Sequence, residues 1–154
     1  MNAAQYFDHW YRVWRDLLTA VDSLQDKHLS FRSAKSYSRD LGDILRHIII
    51  MEQGWIHFVI RRQLPAWPEV DVERLSTVAA IKGEMQRVHG ETMEYLAGVS
   101  VEEFNRIIQI PDGGTPKLQW ILWHVFEQQI HHRGEVFLCL SMLDIPRPNL
   151  DRPE

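Results

Sequence analysis

The stretch WHVFEQQIHHRG, residues 123–134, decides the fold. It contains no proline, its single glycine is the last residue, and its apolar side chains recur every third or fourth position, which is helical and not strand periodicity. Extending outward, the same pattern predicts a helix over residues 116–143. The turn sequence PDGGTP (111–116) precedes it, and Pro146 and Pro148 open an extended tail after it. With residues placed at 100° steps, Leu118, Ile121, Leu122, Val125, Val136, Cys139, Leu140 and Leu143 share one apolar stripe, with His132 inside it. Gln128 falls about 40° to one side of that stripe and His124 one turn further back, so that His124, Gln128 and His132 form a polar strip at the edge of the core. Trp123, Phe126, Ile130 and Phe137 form a second apolar stripe, which needs either another helix of the same chain or a partner subunit to cover it.

Three other stretches carry helical periodicity: residues 4–24, 38–63 and, from a Ser76 N-cap, 76–98. Pro65 and Pro68 end the second, and a loop rich in proline and acidic residues spans 64–75. Ser100-Val-Glu-Glu reads as a capped start of a short helix or turn before the fourth long helix. Long helices joined by modest loops predict an all-α four-helix bundle, one domain over residues 1–154 with no internal repeat.

Two polar residues on the second helix fall on or beside its stripe of Leu41, Ile44, Leu45, Ile48, Met51, Trp55 and Val59. Glu52 lies within it, and a carboxylate there requires a partner. Either it forms a buried ion pair, with Arg133 as a candidate, or it holds a histidine in one tautomer. His47 lies at the edge. His132, taken alone, reads as a core histidine bonded to a carbonyl or carboxylate. Read together, His47 and His132 are two imidazoles that can meet across a bundle core, a donor set suited to zinc, nickel or iron.

The net charge of -4 and pI near 6.0 argue against nucleic acid as a partner, since phosphate neutralisation needs a basic surface. The one cysteine, Cys139, excludes an internal disulfide and, on the core face, reads as inert. No signal-peptide pattern opens the chain, and the longest apolar run is too short to span a membrane; the expectation is a cytoplasmic protein without membrane contact. The zincin signature, the Glu-x-x-His pair of di-iron bundles, Gly-rich phosphate loops and the nucleophile elbow are all missing from the sequence.

Residues 123–134, together with His47, the helix order and the proline-containing tail, resemble the DinB-like (damage-inducible) family over nearly the whole chain. The resemblance implies an up-down-down-up bundle, often dimeric, with a divalent metal held by three histidines. His47 and His132 stand at two of those positions. Gln128 stands at the third, where a weaker, harder amide oxygen replaces imidazole and lowers the expected affinity for zinc, nickel or iron. His124 or His131 can in principle compensate, although His131 points about 100° away from His132. Some relatives activate a low-molecular-weight thiol, which implies a thiol-dependent S-transferase or hydrolase-like enzyme acting on a small molecule. The alternative is a non-catalytic dimeric bundle with a degenerate metal site, serving as a small-ligand-binding or interaction module.

Overall fold

The computed structural model describes residues 1–151. Its α-helices are α1 (Ala3–Tyr6), α2 (Asp8–Asp22), α3 (Leu41–Glu52), α4 (Val78–Ala97) and α5 (Leu118–Met142). Short 3₁₀ turns cover Asp26–Ser30 and Val101–Asn105, and a π-helical stretch, Gln53–Ile60, continues α3 without a break. No strand forms among the described residues; pairing is limited to the isolated bridges Asn2–Ser100 and Ile107–Lys117. No helix among them is long and apolar enough to cross a membrane.

Side-chain contacts fix the direction of each helix. Trp10 meets Gln129 and Asp16 meets Arg133, so α2 and α5 run parallel. His47 meets His132 and Trp55 meets His124, so α3 and α5 are antiparallel. Glu52–His89 and His57–Thr92 make α3 and α4 parallel, and Trp14–His89 with Asp22–Lys82 makes α2 and α4 antiparallel. The order is up-down-down-up, as the resemblance implies.

Parallel α3 and α4 cannot be joined by a tight turn, so residues 61–77 return along the bundle. They are anchored at several points. Arg46 donates to the Leu75 carbonyl at 3.0 Å, and Arg74 pairs with Glu84 of α4 at 3.1 Å. Trp67 packs against Gly54, where a Cβ would come within 2.5 Å of the indole ring, so this close approach requires glycine.

Helix ends follow local hydrogen bonding more finely than periodicity reveals. The first helix is interrupted at Phe7, and its short opening turn is closed by a reciprocal Asn2–Gln5 capping box. The second helix opens at Leu41, later than the periodicity over 38–63 suggests, and Asp40 caps it, accepting from the Asp43 N–H at 2.7 Å. Thr77, one residue beyond Ser76, caps the third, accepting from Ala80 at 3.2 Å. The Ser100 cap forms as read, with Glu103 reciprocating. The fourth helix opens at Leu118 and not at Pro116, because Pro116 accepts from Ile108 and the Leu118 N–H donates to Arg106, tying this segment into a ribbon. Half of the second stripe of α5 is covered within the chain: Phe126 and Phe137 are buried, Phe126 against Phe7 and Trp10.

Glu84 is almost fully buried between Arg74 and Arg87. Hydrogen bonds from Arg87, against the cost of burial and with help from Arg74, hold its carboxyl down at about 2. A folded-state value below the unfolded 4.5 stabilises fully above 4.5, and this contribution is lost as pH falls toward 2. Urea unfolding should therefore show wild type more stable than Glu84→Gln at neutral pH, with the gap closing across that acidic window.

Candidate metal centre

One carboxylate links all four long helices. Glu52, at the last turn of α3, is 1% exposed. Its Oε1 meets His89 Nδ1 of α4 at 2.9 Å, and its Oε2 accepts from Gln129 Nε2 of α5 at 2.5 Å. Gln129 Oε1 in turn accepts from Trp10 Nε1 of α2 at 2.6 Å, and the His89 ring stacks on Trp14 with centroids 4.1 Å apart. The expected partner Arg133 is elsewhere: it pairs with Asp16 of α2 at 3.4 Å, because the parallel packing of α2 on α5 places that carboxylate beside it. Glu52 does hold a histidine, but that histidine is His89, which periodicity alone did not single out. Gln129, one residue beyond Gln128, is the buried glutamine of this helix.

The register set by this network brings His47 and His132 together, with ring centroids 4.8 Å apart at 85°. His132 is buried, and its Nδ1 lies 2.5 Å from Glu135 Oε2. Burial pushes the Glu135 carboxyl up, but hydrogen bonds from Tyr37 and His132 outweigh it and hold the group below its ordinary value. An ionised carboxylate only accepts, so Nδ1 carries the proton and Nε2 keeps the lone pair. That Nε2 is buried and has no hydrogen-bond partner among the described residues. Tyr37 donates its hydroxyl to the other oxygen of Glu135, completing a chain Tyr37–Glu135–His132.

Both rings are held neutral. Burial lowers His132, and the Glu135 interaction only partly offsets it. Burial, then the charge of Arg39, push His47 down to about 4, and any proton taken up by His132 opposes one on His47. A neutral imidazole with a free lone pair is the form that ligates metal. Gln128 is half-buried on the α5 turn between His124 and His132 and makes no side-chain hydrogen bond among the described residues. His124 belongs to a different group: its ring stacks on Trp120 and meets the edge of Trp55.

His131, His132 and Glu135 also form a cluster able to hold a metal, with ligand atoms all within 4.8 Å of one another. His131 is 66% exposed, as its helical angle implied, yet it reaches within 3.8 Å of Glu135. Glu135 and Tyr37 were not found from the sequence. The available signal was the His132–Glu135 spacing of three on one helix. Cys139 is buried, and burial raises its thiol, which agrees with an inert role.

A family model described as the DinB superfamily matches residues 9–136. The chain belongs to the DinB superfamily. Its fold is similar to the crystal structure of a DinB-like protein from Bacillus cereus ATCC 10987, at 17% identity and a TM-score of 0.76, covering 97% of each chain. It is likewise similar to that of a DinB-like protein from Bacillus subtilis, at 16% identity and a TM-score of 0.75, covering 97% of this chain and 99% of that one. At such identities the likeness establishes the DinB fold alone. No curated protein matches the chain.

Truncating Glu52 to alanine in this DinB-superfamily bundle leaves Gln129 and His89 buried without their acceptor. We expect a loss of about 3 kcal/mol or more in urea unfolding. A loss no larger than that of an exposed control such as Glu127→Ala would mean the network does not organise the core.

Proposed function

We propose that this DinB-superfamily chain is a metal-dependent enzyme that holds a divalent ion, zinc, nickel or iron, through His47 and His132, with Gln128 as a weak third donor. The observation that carries the reading is His132 Nε2: a buried nitrogen, its lone pair freed by the Glu135 bond to Nδ1, with no hydrogen-bond partner among the described residues and with His47 beside it. A buried unpaired acceptor is costly, and a ligated ion removes the cost. Glu135 orients the ring and raises the basicity of its free nitrogen, and Tyr37 fixes Glu135 in turn. An ion at such a centre lowers the pKa of a bound thiol or water and so supplies a nucleophile near neutral pH. Thiol-dependent S-transfer to a small molecule is the reaction class we favour, with a hydrolase-like reaction next.

Gln128 supports a second reading, in which the bundle keeps the pocket without a working metal and binds a small ligand or partner. Metal content separates the two. Protein purified without tag or chelator should take up near-stoichiometric zinc or nickel by elemental analysis, and His132→Ala should abolish uptake. Glu135→Gln should weaken affinity about 10- to 100-fold, and Gln128→His should strengthen it. Uptake that survives His132→Ala would overturn the assignment; no uptake by wild type would leave the second reading.

We further propose a homodimer through the exposed face of α5, where Trp120, Trp123, Ile130, Leu138 and Met142 stay in part exposed. The cytoplasm is the compartment we assign, in keeping with a lone buried cysteine. Light scattering should report a dimer that Leu138→Glu converts to monomer with unchanged helicity; a monomeric wild type would refute the interface.

A further inference from the structure

A cavity of about 270 Å³ opens beside His47. Its polar wall carries Arg39, Asp43 and Arg46 together with His47, and its apolar wall is Ile50 with Val70 and Val72 from the crossover. The charges there are unevenly matched. Arg46 is committed to Asp43 at 2.9 Å, to Asp40 at 3.7 Å and to the Leu75 carbonyl at 3.0 Å. Arg39 is half-buried and makes no ion pair among the described residues. Arg46 also contributes a buried Nε–H that no described group accepts. Among the lining residues Arg39 is thus the cation without a carboxylate of its own; it hydrogen-bonds the Tyr37 hydroxyl and keeps further guanidinium donors for an oxyanion.

We propose that this cavity binds a small aliphatic monocarboxylate, its carboxylate paired with Arg39 and its short apolar body against Ile50, Val70 and Val72. One guanidinium without a carboxylate partner among the described residues matches one negative charge and leaves a phosphate dianion half-neutralised. The volume lies just below the usual range for ligand sites, which suits a small molecule. The location matters because His47 lines the same cavity, so a carboxylate held by Arg39 carries its body next to the His47–His132 centre. Arg39 acts on that centre electrostatically, since its charge contributes to lowering both His47 and His132. As a substrate assignment this rests on the metal-site reading; the binding itself does not require the metal.

The test titrates isobutyrate, and separately the neutral isobutyramide, into metal-free full-length protein, following the His47 ring resonances by NMR. Isobutyrate should saturate the shift, and isobutyramide should bind at least about tenfold more weakly for want of the charge-assisted pair. Arg39→Gln should weaken isobutyrate by about tenfold or more, and Arg39→Lys should retain part of the affinity. Equal binding of acid and amide to wild type, undiminished binding to Arg39→Gln, or no saturable response in the millimolar range would each overturn the proposal. The acid–amide comparison needs no variant and so stands even if Arg39→Gln fails to fold. Metal uptake is measured on separate samples, so a chain that takes up no metal but binds isobutyrate refutes the metal centre and leaves the anion site intact.

Discussion

A carboxylate in a hydrocarbon core must be fully paired, and that requirement at Glu52 organises the bundle. Its two oxygens are answered by one side chain from α4 and one from α5, and the latter passes the constraint to α2 through Trp10. Apolar stripes alone tolerate sliding, since leucine against isoleucine is much the same one turn up or down. Directional bonds reaching four helices are not tolerant in this way: slipping any helix by a turn would strand a buried donor or acceptor. The antiparallel alignment of α3 on α5 that places His47 against His132 also places Trp55 against His124, eight residues along each chain in opposite directions. The candidate centre is thus a consequence of a register fixed nearby.

The same logic, a polar group that needs an answer, runs through the centre itself. Three groups in and around it have theirs: Tyr37 to Glu135, Glu135 to His132 Nδ1, Asp43 to Arg46. His132 Nε2 finds none among the described residues. Burial keeps both imidazoles in the neutral form needed to ligate, and the carboxylate behind His132 selects which nitrogen is available. The π-helical turns at Gln53–Ile60, directly after Glu52, let Trp55 and His57 face α5 and α4 while Gly54 yields to Trp67. Such departures from α-helical geometry recur at functional sites.

Much of this was legible in the sequence, because helical periodicity is a property of local spacing. The long helices, the turn at residues 111–116, the Ser100 cap, the DinB resemblance and the burial of His132 and Glu52 all follow from such spacing and from the quoted motif. What stayed hidden depends on interhelical register. Glu52 needed a partner, but whether it was Arg133 or His89 depends on how α4 and α5 sit against α3. Gln129 was missed because one helical residue is a 100° rotation, and only the packing shows which of two adjacent glutamines turns inward. Tyr37 precedes α3, in a segment without periodicity, so nothing local ties it to Glu135. The second stripe of α5 divides between an internal neighbour and an exposed face for the same reason.

The central claim is that His132 offers Nε2, backed by Glu135, to an ion shared with His47. A crystal of the protein grown with zinc, with anomalous data collected at the zinc edge, tests it most directly. The account predicts a single strong anomalous peak between the rings of His47 and His132, with His132 Nδ1 still bonded to Glu135. A peak instead among His131, Glu135 and His132 Nδ1, or zinc found only at surface residues, would contradict it.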